Sequence, residues 1–257
     1  LIIDDLSLNY GESIRLLANA EIKDIDDTSK TYLLGGIDEF YLDSEGVLTL
    51  INNFSNVRKG LPEQLKNLGK ITFFGDVSGY LKELVAFGSL RTDVGTLNTD
   101  LLFGFNPSVG VESYFKGNLS SANIEIGKIL DNKDFKDFAF DLEIDLTKKI
   151  NNPFGGHVSG VVHQFDYKGY TYENIELDGN YDGKKIEGAV NVDDPNGHLA
   201  IDGFFDLSEK IPQLNFKASL NNLNLEGLNL TSKYPKSLIS LNLTANFVGD
   251  NIDNVEG

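Results

Sequence analysis

Residues 138–146 read Phe-Ala-Phe-Asp-Leu-Glu-Ile-Asp-Leu. Phe138, Phe140, Leu142, Ile144 and Leu146 fall on one side of this stretch; Ala139, Asp141, Glu143 and Asp145 fall on the other. Strand side chains alternate faces with a period of two, so the segment is a strand with one apolar and one wet face. Similar stretches recur along almost the whole chain. They predict strands near 1–8, 14–22, 37–43, 69–79, 83–91, 96–105, 109–119 and 122–127, then near 135–146, 156–167, 169–177, 185–192, 197–207, 213–220 and 237–248. The fold class expected is all-β: an elongated, curved antiparallel or mixed sheet forming an open groove with an apolar lining.

Between the strands lie ordinary turn signals: Ser44-Glu45-Gly46, Asp182-Gly183 and Asp194-Pro195-Asn196-Gly197. A hairpin is expected at Gly183. One short helix is predicted near 62–68, with Pro62 at its first position and Leu61, Leu65 and Leu68 at helical spacing. It is expected to plug or cap one end of the sheet. The polar segments 24–31 and 131–136 read as loops.

Internal echoes suggest a repetitive chain. Phe-Lys-Gly-Asn-Leu from Phe115 resembles Phe-Lys-Ala-Ser-Leu from Phe216, and the steps downstream share an Asn and a Glu. Pro62-Glu63-Gln64-Leu65 pairs with Pro235-Lys236-Ser237-Leu238, followed by Phe73 to Asp76 and Phe247 to Asp250 respectively. Because the offsets differ, the expected organisation over 1–257 is one continuous but irregular series of hairpin units, with echoes over 61–130 and 168–250, each unit contacting mainly its neighbours.

Composition narrows the function. The 22 basic and 39 acidic residues give a net charge of −17. That argues against nucleic acid or an anionic membrane surface as the main partner, since both need clustered Lys and Arg. No window holds the ~20 apolar residues of a membrane span. Cysteine is absent, which removes disulfides, thiol nucleophiles and thiolate metal sites. His157, His163 and His198 form no metal-binding or triad spacing, and Asp24, Asp26 and Asp27 lack the Gly and Glu of a calcium loop. No catalytic residue, metal site or cofactor is expected. Tyr167, Tyr170 and Tyr172 fit either cross-strand packing or a carbohydrate-stacking patch.

The grammar of the chain resembles the TamB/AsmA-like family of bacterial envelope proteins, in the style of its Bacteroidetes members. One form runs from Pro62 through Leu65 to an apolar strand ending at Gly75 and Gly79, continues through residues 87–101, and reaches an Asn-Ile-x-Ile-Gly step at Asn123 to Gly127. The later form spans 172–207 and 214–225. The resemblance implies a long curved sheet folded like a taco into an open groove, belonging to a translocation and assembly module. It implies a periplasmic location for this segment within a longer protein anchored in the inner membrane. It also implies phospholipid or other acyl-chain lipid as cargo and an Omp85-type outer-membrane barrel as partner, through regions outside this segment. The function expected is lipid transport between the membranes, outer-membrane protein assembly, or both.

The candidate groove lining is Leu97, Leu101 and Phe103; Phe138, Phe140, Leu142, Ile144 and Leu146; Leu199, Ile201, Phe205 and Leu207; and Ile239, Leu241, Leu243 and Phe247. Gly188 and Gly203 interrupt apolar faces, which permits curvature or close approach. The competing arrangement is a β-sandwich whose two apolar faces cover each other, suited to a surface adhesin or glycan-binding module.

Overall fold

Period-two alternation produces strands wherever it occurs. The computed structural model describes residues 1–54, 60–61, 63–106, 110–231 and 237–249. In chain order the elements are β1 (Ile2–Tyr10), β2 (Ile14–Lys23), β3 (Tyr32–Leu42), α1 (Ser44–Phe54), α2 (Glu63–Lys66), β4 (Ile71–Tyr80), β5 (Glu83–Thr92), β6 (Gly95–Asn106) and β7 (Val111–Glu125). They continue with α3 (Ile126–Ile129), β8 (Phe135–Lys149), β9 (Phe154–Tyr167), β10 (Tyr170–Asp182), β11 (Lys185–Asp194), β12 (Gly197–Asp206), β13 (Gln213–Asn224) and β14 (Leu238–Val248). Among the described residues, fourteen strands follow one another in one sheet in sequence order, so there β1 and β14 each have a single neighbour and the sheet is not closed. This is the all-β class the alternation predicts. The strands do not divide into the two sheets of a sandwich.

Several details differ from the sequence reading. The best helix is α1, not 62–68; Ser44-Glu45-Gly46 opens it instead of forming a turn. Asp43 is its N-cap, its Oδ1 accepting hydrogen bonds from the backbone N–H groups of Glu45 and Gly46 at 2.9 Å each. The predicted helix at 62–68 shrinks to the single turn of α2; Pro62 lies outside the described residues, as do Pro235-Lys236 and Asp250 of the echoes. The expected strands 109–119 and 122–127 are one strand, β7, and Ile126 and Gly127 belong to α3. The interruption at Ser120-Ser121 is internal to β7: Ser121 is buried, and its hydroxyl donates to the Thr96 carbonyl at 2.8 Å. β3 begins at Tyr32, five residues before its predicted start.

The hairpin at Gly183 joins β10 to β11, with Asp182 opposite Lys185. Pro195 and Asn196 form the two-residue turn between β11 and β12, with Asp194 opposite Gly197.

The strands gather into two compact units. The first comprises Leu1–Asn106 and Gly117–Phe138; the second comprises Pro107–Lys116 and Ala139–Gly257. Each has an apolar sheet face with a small buried core concentrated toward one end. No large side chain among the described residues is fully buried.

Candidate functional site: the apolar sheet faces

Residues paired across antiparallel strands project from the same face, so the register assembles each face row by row. In the first unit Leu16, Phe40, Phe73, Leu90 and Leu97 form one row across five strands. Ala20, Gly35, Val77, Ala86 and Leu101 form the next, and Phe103 lies opposite Leu84 in a third. Leu97, Leu101 and Phe103 are all half-buried.

The second unit repeats this plan. Ile175, Val192, Leu199, Leu220 and Leu241 make one row. Leu177, Val190, Ile201, Ala218 and Leu243 make another, and Tyr181, Ile186, Phe205, Leu214 and Phe247 a third. Ile239 stands opposite Leu223 beyond a bulge in β13. β8 joins the same face. A β-carbon built on Gly160 would stand 2.9 Å from the Leu142 Cα, and one on Gly156 2.9 Å from the Leu146 Cα. Leu142 and Leu146 thus lie beside those glycines of β9, with Ile144 between them on the same side of β8. Phe140 is buried, and Leu142, Ile144 and Leu146 are half-buried. Phe138, half-buried, occupies the part of β8 assigned to the first unit. Leu207 falls one residue past β12 and is 44% exposed. The sequence reading missed Leu177, Val190 and Val192, though alternation through 186–192 carried the signal.

A glycine row crosses the second unit: Gly179, Gly188 and Gly203 are mutual partners on β10, β11 and β12, ending against Phe216 of β13. A β-carbon at Gly188 would lie 2.4 Å from the Gly179 Cα and 2.3 Å from the Asp178 carbonyl oxygen. One at Gly203 would lie 2.4 Å from the Phe216 Cβ. No side chain fits at Gly188 or Gly203, so adjacent backbones approach closely along the row. Phe216 ends the row, stacked on Phe205 at 5.6 Å. In the first unit Gly75 pairs with Gly88, and a β-carbon on Gly88 would stand 2.2 Å from the Phe74 carbonyl oxygen.

Each face is closed at one end. In the first unit the connections carrying α1, α2 and α3 pack there. Gly46 of α1 sits against the Ser13 carbonyl and Ile14; the Asn67 side-chain amide donates to the Ile129 carbonyl at 3.1 Å, tying α2 to α3. Ile14, Leu42, Leu61, Val94 and Ile124 are buried beneath. In the second unit the end is closed by the loop 225–230 and a polar network. Asp194, buried, accepts hydrogen bonds from the Tyr170 hydroxyl and from the backbone N–H of Asn196 (2.8 Å) and Glu173 (3.2 Å). Tyr172 donates to the Leu228 carbonyl at 2.9 Å, and Leu223 and Leu228 are buried. Burial, then the neighbouring Asp194 carboxylate, pushes the Tyr170 hydroxyl above its ordinary pKa. Tyr170 and Tyr172 meet edge to face at 4.8 Å, and Phe165 stacks with Tyr167. Phe165 and Tyr172, partners on β9 and β10, meet across the strands at 6.3 Å, and the hydroxyls of Tyr170 and Tyr172 are engaged.

The opposite face of the second unit is largely polar. In the second unit Lys116 pairs with Asp145 at 2.9 Å, and His163 with Asp141 at 2.7 Å. A shallow polar hollow of about 630 Å³ is lined by Asn174, Glu176, Asn191, Asp193, His198 and Ser219 among others. Asp27 is held by the Ser29 hydroxyl and backbone N–H, an arrangement that lowers its pKa and accounts for the acidic turn. No group of three or more acidic or histidine side chains among the described residues is arranged to hold a metal ion. No helix among them is long and apolar enough to cross a membrane.

No protein-family model, curated protein or solved structure matches the chain.

Proposed function

We propose that the apolar faces shelter the acyl chains of phospholipids, as a periplasmic segment of a TamB-like protein that serves lipid transport between the inner and outer membranes, outer-membrane protein assembly, or both. The observation that carries this reading is the half-exposure of whole apolar rows. Val190 at 37%, Leu241 at 42% and Leu243 at 44% exposure lie in rows built almost entirely of apolar side chains. Among the described residues every strand belongs to one sheet, which favours this reading over a two-sheet sandwich adhesin.

The physical motive is large. Two acyl chains carry roughly 30 methylenes, and at ~0.8 kcal/mol each their exposure to water costs about 24 kcal/mol. Side chains repeating at near-equal hydrophobicity offer many similar weak contacts, so a lipid moves along them without meeting a deep trap. The role is passive and uses no catalytic group. The inner-membrane anchor and an Omp85-type partner belong to this proposal through the family resemblance alone.

Photo-crosslinking tests the reading. A benzophenone amino acid placed at Val190 should crosslink to phospholipid, whereas the same group at Asn191, on the polar face, should not. Equal crosslinking at both positions, or none at Val190, would count against it.

A further inference from the structure

The uncapped end of the second unit carries a combination found nowhere else among its described residues: unpaired lysines beside exposed apolar side chains. Three turns form this rim: 150–153 between β8 and β9, 183–184 between β10 and β11, and 207–212 between β12 and β13. They are joined to one another. The Gly183 N–H donates to the Phe154 carbonyl at 3.3 Å, and the Leu207 N–H to the Lys184 carbonyl at 2.9 Å. A β-carbon on Gly183 would stand 2.4 Å from Pro153 Cγ, so the first two turns are in contact.

Among the described residues, five lysines (148, 149, 184, 185 and 210) lie on or beside these turns, against the four carboxylates of Glu112, Asp182, Asp206 and Glu209. Lys148 pairs with Glu112 at 2.9 Å and Lys185 with Asp206 at 3.1 Å. Asp206 is also held by the backbone N–H and hydroxyl of Ser208, which lower its pKa to about 2. Lys149, Lys184 and Lys210 are exposed and make no ion pair among the described residues. Between them Ile150, Phe154, Ile186, Leu207 and Ile211 are each more than a third exposed.

We infer that this rim docks on the surface of an anionic phospholipid bilayer, with the lysines among the phosphates and the apolar tips in the interfacial zone. The inference deepens the lipid-sheltering reading and rests on it, since docking here sets the open end of the apolar face against the bilayer. The chain's −17 charge does not forbid it. At physiological salt, charges beyond about 8 Å are screened, so the bilayer meets the rim and not the chain's average. A lysine near an anionic surface contributes about a fivefold gain in binding, and exposed Ile, Leu and Phe add an apolar term that salt does not weaken.

Vesicle flotation of the chain tests this. Binding to phosphatidylglycerol-containing vesicles, weakening with salt and much poorer on pure phosphatidylcholine, is expected. The triple variant K149Q/K184Q/K210Q, which neutralises the three charges, should lose about a hundredfold in that binding, and I150S/I211S should weaken what remains at high salt. The face variant V190D/L243D should still float while failing to take up lipid; that outcome separates docking from sheltering. Wild-type chain that fails to float with anionic vesicles overturns the inference, as does flotation unchanged in the triple lysine variant. Flotation without lipid uptake by the wild type would sink the sheltering reading and leave docking standing.

Discussion

The two units face the same problem at their closed ends and solve it differently. The first buries apolar bulk at that end: Ile14, Leu42, Leu61, Val94 and Ile124 are buried where the connections carrying α1 to α3 leave the sheet, with Gly46 of α1 against Ile14. The second covers its end with hydrogen bonds, the buried Asp194 carboxylate gathering the Tyr170 hydroxyl and two backbone N–H groups above Leu223 and Leu228. A sheet face can thus be sealed either by removing apolar area from water or by satisfying polar groups at a turn. The first device depends on shape, the second on protonation and partner count. What the units share is a close backbone approach at paired glycines, Gly75–Gly88 in the first and Gly179–Gly188–Gly203 in the second.

The shared feature should give the largest effect. Gly188→Val places a side chain where the Gly179 Cα and Asp178 carbonyl already stand, and should destabilise the second unit by about 4 kcal/mol, read by hydrogen exchange of β10 to β12. Gly88→Val should do the same in the first unit while sparing the second; equal protection loss in both would break the two-unit description.

The caps should respond next. Ile124→Ala removes buried apolar bulk and should cost the first unit about 3 kcal/mol. Tyr170→Phe leaves Asp194 short of one donor and should cost the second unit about 2 kcal/mol. If Tyr170→Phe were neutral, the polar network would be ornament and Leu228 alone the seal.

The smallest effect is the sharpest in sign. Asp43 has its pKa lowered by accepting the Gly46 N–H, so the stability it lends α1 is present above its ordinary pKa of 3.8 and fades as pH falls through the depressed value. Tyr170 has its pKa raised, so its contribution is complete below the ordinary 10.0 and fades as pH climbs through the raised value. Acid should loosen the first cap and alkali the second. Asp43→Ala should cost about 1 kcal/mol and flatten the acid limb alone, as followed by exchange of the α1 amides.

Strands were legible because alternation is a local property. Residues 138–146, 185–192 and 197–206 announce themselves without any partner. The start of β3 did not, since Leu33-Leu34-Gly35-Gly36 has no alternation and is held as strand by its neighbours β2 and β4. α1 was hidden because Gly46 reads as a turn residue, although Asp43 ahead of Val47, Leu48 and Ile51 is an N-cap before an apolar face. Membership of a single face was partly legible: each strand predicted its own apolar side, but the rows depend on register. The rim lysines are scattered over more than 60 residues of sequence and meet only through the turn contacts.

The most direct test of acyl-chain sheltering is native mass spectrometry of the chain after exposure to phospholipid micelles, with circular dichroism to verify folding. The account predicts bound phospholipid on the wild-type chain and its loss from folded V190D/L243D. A folded wild-type chain that takes up no lipid, or a folded variant that takes up as much, would contradict it.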